Sequence, residues 1–173
     1  FAVGVIDGDK AVSAEFKAAG DEVVFLSCPR DNAEVLDFAA LRKNLNAVHA
    51  AMEAGQIKAA AAVKEGGIAA LVTTMAMGNE LGFEFIMPFH DPESLFTLQP
   101  GGMLLELAAG VDPEVIFAGL DYMVLGHTTA AAGIAINDTV IAADKALAAY
   151  REPLQKIFPD SLPAVEEPAD IKM

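Results

Sequence analysis

Residues 57–77 read IKAAAAVKEGGIAALVTTMAM, and this stretch predicts a β-strand joined to an α-helix by a pair of glycines. Residues 57–63 are an apolar run of mostly small side chains, which is typical of a buried strand. Gly66 and Gly67 begin a helix that extends to the end of the stretch and is apolar on nearly all of its faces. We expect such a helix to be covered by the sheet or by another domain.

A longer amphipathic helix is predicted before this unit, over residues 33–54. Its apolar side chains recur at steps of three and four residues: Val35, Phe38, Leu41, Leu45, Val48 and Met52. Asp31 is expected to cap the start, with Glu34 completing a capping box, and Gly55 supplies the stop signal. The stripe predicts which side of this helix faces the core.

The ends of two other helices carry residues that break helices. Gly78 and Asn79 predict a left-handed turn after residue 77. A closing helix is predicted to begin near Asp144, with one apolar stripe made of Leu147, Tyr150, Leu154 and Ile157. Pro153 lies inside this pattern, so we expect it to kink or restart the helix.

The remaining pattern is rich in short strands. Strands are predicted over residues 1–6, 11–16, 22–27, 81–87, 95–98, 103–108, 122–128, 133–136 and 139–142. The turn at 99–102 is expected to join the two strands beside it as a hairpin. Asp112 caps a short helix that ends near Ala118. Hairpins mixed with single helices predict an α+β fold, a mixed β-sheet packed with helices.

The composition predicts one domain, residues 1–159, followed by a proline-rich acidic linker at 160–173. The chain has 173 residues, of which 54% are hydrophobic, but no apolar run is long enough to span a bilayer. A net charge of -14 repels nucleic acids and anionic membranes, so neither is an expected partner. Cys28 is the single cysteine, which fits a reducing compartment. We therefore expect a cytoplasmic location.

Residues 64–68 are the candidate binding site, because this segment connects the predicted strand to the predicted helix. Glycines at 66 and 67 would let a phosphate approach the backbone, and the first amides of the helix, including that of Ile68, would point at it. Lys64 would add a cation, and Glu65 completes the segment. The alternative is a tight turn that needs glycine only for packing.

No other residue forms a recognisable catalytic motif. His127 could be a base at a strand end, but no serine or cysteine nucleophile is paired with it. The three histidines lack metal-ligand spacing, so no metal site is predicted. Glu84 and Glu106 alternate with apolar residues, which predicts a solvated sheet face rather than an acid–base pair.

Several segments, taken in order, resemble the C-terminal domain of the aminoimidazole ribonucleotide synthetase (AIR synthase) family. Residues 57–71, followed by Met75, the Gly78-Asn79 pair and residues 81–83, are similar to the glycine-loop helix of that domain. Residues 3–7 and 16–21 resemble its first strands, and residues 147–159 resemble its closing helix. The resemblance covers about residues 1–159 and implies an AIR synthase C-terminal domain-like fold.

Within this family, the chain is most like a domain of the large ligase that amidates formylglycinamide ribonucleotide in purine biosynthesis. The resemblance implies ATP and Mg²⁺ as cofactors of the parent enzyme, with neither bound tightly by this domain alone. It implies three partners: an N-terminal AIR synthase-like domain, a glutaminase domain and a small phosphorylated ligand. The glycine loop, Lys64 to Ile68, would bind phosphate or substrate, no catalytic residue is assigned here, and the isolated domain is expected to be inactive.

Two alternatives remain open at this point. The first is a stand-alone relative, of the cyclising synthetase or selenophosphate synthetase type. The second is a structural domain with no ligand. Many relatives carry Ser-Asp-Gly-Gly where this chain has Lys64-Glu65-Gly66-Gly67, so the loop has lost a hydroxyl and its acid is longer. The loop therefore faces either an active site or a degenerate structural one.

Overall fold

A computed structural model describes residues 7–86 and 92–159 of the chain. Within these residues, seven strands form one sheet in the order β2-β4-β1-β5-β3-β6-β7. The strands are β1 Glu22–Leu26, β2 Ile57–Ala62, β3 Gly82–Phe85, β4 Met103–Leu107, β5 Tyr122–Thr129, β6 Gly133–Ile136 and β7 Thr139–Ala142. Neighbouring strands are antiparallel except β3 and β6, which are parallel.

The helices pack on both faces of this sheet. They are α1 Phe38–Glu53, α2 Gly67–Met77, α3 Pro113–Ile116 and α4 Ala143–Gln155, and two short 3-10 helices cover Gly8–Lys10 and Pro92–Phe96. The predicted fold class, a mixed sheet packed with helices, is confirmed. The strand predicted at 1–6, the last residue of the strand predicted at 81–87 and the linker at 160–173 lie outside the described residues.

The two faces of the sheet bury two separate hydrophobic clusters. On the first face, Val72 and Met75 of α2 pack over Phe83 and Leu104, so we call this the α2 face. On the second, the α1 face, Val48 of α1 and Phe117 join a cluster with strand residues that include Val24 and Leu105. α4 lies beside α2 over β6 and β7. The α2 face therefore carries the helix that follows the glycine loop.

α1 begins later than predicted, at Phe38 rather than residue 33. Asp37 is the actual cap, because its carboxylate accepts the amides of Ala39 and Ala40. The carboxylate of Asp31 accepts the amides of Ala33 and Val35 in the preceding turn instead, and Glu34 adopts a left-handed conformation with φ 62°. The predicted capping box is therefore wrong, since both residues belong to a loop.

The predicted inner stripe of α1 is also only partly correct. Val48 is buried as expected, but Phe38 is 68% exposed and Leu45 is half exposed. Asn44 and Ala51 are buried instead. The side chain of Asn44 donates to the carbonyl oxygen of Ser27 at 2.6 Å, which explains how a polar residue occupies the inner face. The helical pattern of apolar residues alone could not identify Asn44 as a buried residue of α1.

Replacing Asn44 with alanine is expected to lower the free energy of unfolding by about 1–2 kcal/mol, because the buried amide loses its bond to Ser27. Chemical denaturation measures this change. Asn46→Ala is the matched control, since Asn46 is exposed on the same helix and its loss should change stability by less than about 0.5 kcal/mol. Equal effects of the two substitutions would contradict the structural role of Asn44.

Two predicted strands are absent from the described residues. Residues 95–98 do not form a strand, because a 3-10 helix at Pro92–Phe96 buries Leu95 in the core instead. The turn at 99–102 is present, with Gly102 donating its amide to Gln99 at 2.9 Å, but it does not join a hairpin. Of the predicted strand at 11–16, only Ser13 makes a bridge, to Ala59 of β2.

Two predicted helix breaks also differ from the structure. Gly78 is right-handed, with φ -59°, and the left-handed residue after α2 is Glu80, with φ 56°. A side chain at position 78 would collide with Glu15, so packing explains the glycine there. α4 continues through Pro153 and ends at Gln155. Pro153 is exposed, so water can reach the carbonyl that its missing N–H leaves unpaired.

Candidate functional site

The glycine loop turns the chain from β2 into α2 within four residues. Val63 donates its amide to Gly102 at 2.9 Å, and Gly67 donates its amide to the carbonyl of Lys64 at 3.0 Å, which closes the turn. Gly66 and Gly67 both adopt left-handed conformations, with φ 86° and φ 66°. Side chains rarely tolerate that region, so the turn requires glycine at both positions.

Gly67 is also covered by a distant segment of the chain. A Cβ atom at position 67 would meet the carbonyl oxygen of Leu95 and would lie 2.7 Å from the carbonyl carbon of Phe96 and 2.8 Å from the oxygen of Thr97. This backbone therefore packs directly against the start of α2. The close contact supports the packing explanation for the second glycine, which does not depend on a ligand.

Beside the loop, an open cleft of about 630 Å³ lies between the end of β2, the first turns of α2 and Tyr150 of α4. Its lining residues are mostly small: Ala14, Ala60, Ala61, Ala62, Lys64, Glu65, Gly67, Ala70, Leu71, Thr74 and Tyr150. The charged lining residues, Lys64 and Glu65, lie at the loop end of the cleft. This volume falls within the range typical of sites for small molecules.

The five residues predicted for binding occupy different environments. Lys64, Glu65 and Gly66 are exposed, whereas Gly67 and Ile68 are buried. Lys64, Glu65 and Gly67 line the cleft. The side chain of Ile68 packs in the core of the α2 face, so only its backbone could face a ligand. The binding role of these five residues stays a prediction.

Glu106 is the residue that sequence reasoning placed wrongly. It was expected on a solvated sheet face, but it is fully buried on β4. Its carboxylate accepts the amide of Lys17 at 2.9 Å and the amide of Ala18 at 3.2 Å. The flanking residues Leu104, Leu105 and Leu107 are all buried, and a strand that is apolar on both faces is a sign of full burial. That signal could have identified Glu106.

A second acid completes a buried polar cluster around Glu106. Asp21 is also buried, and its carboxylate pairs with the ammonium of Lys58 at 2.5 Å. The hydroxyl of Thr128 accepts the amide of Asp21 at 2.9 Å. The pKa of Glu106 is raised to about 7, chiefly by burial. The neighbouring carboxylate of Asp21 adds to this rise, and the hydrogen bonds from the Lys17 and Ala18 amides oppose it. The cluster fastens the segment before β1 to the sheet.

Glu84, in contrast, is exposed as predicted. His127 faces Glu84 across β3 and β5, with the imidazole Nε2 3.4 Å from a carboxylate oxygen. Cys28 is half-buried, and burial raises the pKa of its thiol. His127 and Glu84 form a partly exposed pair across two neighbouring strands.

Within residues 7–86 and 92–159, no group of three or more histidine, cysteine, aspartate and glutamate side chains is placed to hold a metal ion. In the same part of the chain, no helix combines the length and the apolar character that a membrane crossing requires.

The mixed sheet, the two helix layers and the glycine loop at the start of α2 match an AIR synthase-like fold. The fold predicted from the sequence resemblance is confirmed. No protein-family model matches the chain, and none of the curated proteins does.

Solved structures supply the particular similarities. Thermotoga maritima PurL complexed with ATP has a TM-score of 0.67 and 16% identity over 83% of this chain. Phosphoribosylformylglycinamidine synthase II from the same organism has a TM-score of 0.66 and 14% identity over 98% of it. This chain covers 28% and 31% of those two chains. At such identities the similarity establishes the fold alone.

A hydrogenase maturation protein has a related fold. The chain matches HypE from E. coli with a TM-score of 0.55 and 16% identity, over 76% of this chain and 51% of HypE. A phosphoribosylformylglycinamidine synthase and a hydrogenase maturation protein therefore share this domain fold.

Proposed function

We propose that this chain is a domain of phosphoribosylformylglycinamidine synthase, the ligase that amidates formylglycinamide ribonucleotide with ATP and glutamine-derived ammonia. The similarity in fold to Thermotoga maritima PurL carries the proposal, because solved structures of that protein include complexes with ATP and with FGAR. This chain spans only 28% and 30% of the two PurL chains. We therefore assign it a binding role within the ligase rather than the whole reaction.

The cleft beside the glycine loop is the proposed binding wall. Lys64 places an exposed ammonium group at the loop end of the cleft, where it would pair with a phosphate. The first amides of α2, such as that of Ile68, have no acceptor within the helix and carry the positive end of its dipole. The alanines of β2 and α2 leave room for the rest of the ligand.

Catalytic groups and further ligands would come from other domains of the enzyme. An N-terminal AIR synthase-like domain would close the cleft, and a glutaminase domain would supply ammonia. Because the described residues offer no metal-binding cluster, Mg²⁺ would be held by the nucleotide and by the partner domain. We expect the isolated chain to have no ligase activity.

A structural domain that binds no ligand is the second candidate. The observation in its favour is the contact of Gly67 with residues 95–97, since this contact accounts for the glycine without any phosphate. The third candidate is a stand-alone relative of the AIR synthase family, which the similarity in fold to HypE favours.

Calorimetric titration of the 173-residue chain with formylglycinamide ribonucleotide, and separately with magnesium-ADP, tests the binding role. We expect one of the two to bind saturably. Lys64→Ala should then weaken that binding about tenfold, because one hydrogen bond from a charged group to the phosphate is lost.

Lys43→Ala is the matched control, because Lys43 is an exposed lysine on α1, which packs on the other face of the sheet. The Lys43→Ala variant should bind the same ligand with the affinity of the unmodified chain. Equal binding by Lys64→Ala would refute the role of the glycine loop. Failure of both ligands to bind the unmodified chain would favour the structural domain.

A further inference from the structure

A second cavity lies at the opposite end of α2 from the glycine loop. It has a volume of about 220 Å³, is open to solvent on one side, and lies between the C-terminal half of α2, the start of β6 and the first two turns of α4. It shares no lining residue with the cleft. A ligand could therefore occupy it independently of the proposed function.

The wall of this cavity is apolar except at its rim. Its lining residues are Thr73, Ala76, Met77, Glu80, Leu81, Ala132, Gly133, Ile134, Ala143, Asp144, Ala146 and Leu147. The hydroxyl of Thr73 already donates to the carbonyl of Ala69 at 2.7 Å, so it adds little polarity. The cavity would bury the apolar part of a ligand and leave a polar end near the two acids.

The charged residues of the lining are both acidic. Glu80 comes from the turn after α2, where Leu81 donates its amide to Ala76 at 3.0 Å and so fixes the turn. Asp144 comes from the first turn of α4, where one of its oxygens accepts the amide of Lys145 at 2.8 Å. Among the described residues that line the cavity, Glu80 and Asp144 are the charged ones, and Arg151 lines an adjoining groove together with Asp144.

We propose that this cavity, between α2 and α4, binds a small organic cation whose apolar part is about the size of one six-membered ring. The apolar walls supply the affinity for the ring, and Glu80 and Asp144 select a positive charge at the rim. The volume sets the size limit, because a cavity of about 150 Å³ can hold benzene. A single ring with an amidinium or ammonium substituent fits this space.

Nuclear magnetic resonance of the full 173-residue chain, labelled at alanine and methionine methyl groups, tests the proposal. The methyl groups of Ala76, Met77 and Ala146 line the cavity, so they report binding directly. Benzamidinium is the cationic probe, benzyl alcohol is the neutral one and benzoate is the anionic one. We expect benzamidinium to shift these three signals saturably and to bind at least fivefold more tightly than benzyl alcohol, and benzoate not to bind.

Two substitutions of similar shape then test the acids. Glu80→Gln and Asp144→Asn keep the size of each side chain, and asparagine can still accept the Lys145 amide. Each should weaken benzamidinium binding about fivefold and leave benzyl alcohol binding unchanged. Glu152→Gln is the matched control, because Glu152 is an exposed acid on α4 that does not line the cavity.

Three results would overturn the proposal. One is the absence of saturable shifts with benzamidinium, and this result needs only the unmodified chain. Another is equal affinity for the cationic and neutral probes, since that would show an apolar cavity without charge selection. The third is benzamidinium binding that both substitutions leave unchanged. Because these probes report a cavity separate from the cleft, failure here leaves the calorimetric test of Lys64 unaffected.

Discussion

Replacing Gly67 with alanine is expected to lower the free energy of unfolding by about 3 kcal/mol. Two costs combine at this position. The left-handed backbone, with φ 66°, disfavours any Cβ atom, and that atom would also collide with the backbone of residues 95–97. Relief of the collision would move Leu95, which is 2% exposed, out of the core. Urea denaturation of the variant and of the unmodified chain measures the loss.

Gly55→Ala separates the two costs. Gly55 has nearly the same backbone conformation, with φ 69°, but a Cβ atom there would meet no atom within 4 Å. We expect this control to lose only the conformational part, about 1 kcal/mol. If the two substitutions destabilise the chain equally, residues 95–97 do not press on the start of α2.

This expectation also determines how the glycine loop can be tested. A bulky residue at position 67 would damage folding whether or not a ligand binds, so lost affinity in such a variant would have two explanations. The side chain of Lys64 is exposed at the same cleft, and its removal keeps the backbone bond from Gly67 to the Lys64 carbonyl. Its replacement therefore distinguishes a phosphate-binding loop from a structural turn.

Elements whose limits depend on residues close together in the sequence were predicted well. β6 and β7 have the predicted limits, because Asn137 and Asp138 form a turn between two short apolar runs. Asn137 adopts the left-handed conformation, with φ 51°, that such turns use. The strand and helix that flank the glycine loop were predicted for the same reason, since strand pattern, glycines and helix pattern follow one another without interruption.

Elements that depend on distant contacts could not be predicted in this way. Residues 95–98 have the composition of a strand, but Leu95 is used to cover the start of α2. Asp31 precedes the predicted range of α1 and Asp37 lies within it, and sequence alone gave no reason to choose Asp37 as the cap. The apolar run around Glu106 indicates that it is buried, but its partners Lys17 and Asp21 lie far away in the chain and could not be identified from that run.

Glu106 is expected to make the stability of this domain depend on pH between about 4.5 and 7. Burial, followed by the nearby carboxylate of Asp21, raises its pKa from 4.5 to about 7 in the folded chain. Below pH 4.5 the carboxyl is neutral in both states, so it adds no penalty. As the pH rises towards 7, the unfolded chain releases this proton while the folded chain retains it, and the folded state loses stability.

The expected loss from Glu106 is on the order of 3 kcal/mol and is complete above pH 7, where the carboxyl is ionised in both states. Glu106→Gln should remove it, because the amide resembles the neutral acid: its oxygen can accept the Lys17 amide and its nitrogen can donate to Asp21. The variant should match the unmodified chain near pH 4.5 and exceed its stability at pH 8. Urea denaturation at several pH values measures both curves.

Other charged groups surround Glu106, so its contribution must be measured as the difference in stability between Glu106→Gln and the unmodified chain. The carboxylate of Asp21 and its partner Lys58 belong to the same buried cluster, whereas Lys17 contributes its backbone amide. The difference between the two curves isolates the contribution of position 106, because the neighbours are common to both. Glu22→Gln, at an exposed position of β1, should leave the pH dependence unchanged. Parallel curves for Glu106→Gln and the unmodified chain would contradict this expectation, because Glu106 would then ionise at the same pH in the folded and unfolded states. In that case hydrogen bonds would hold the buried cluster together without a retained proton.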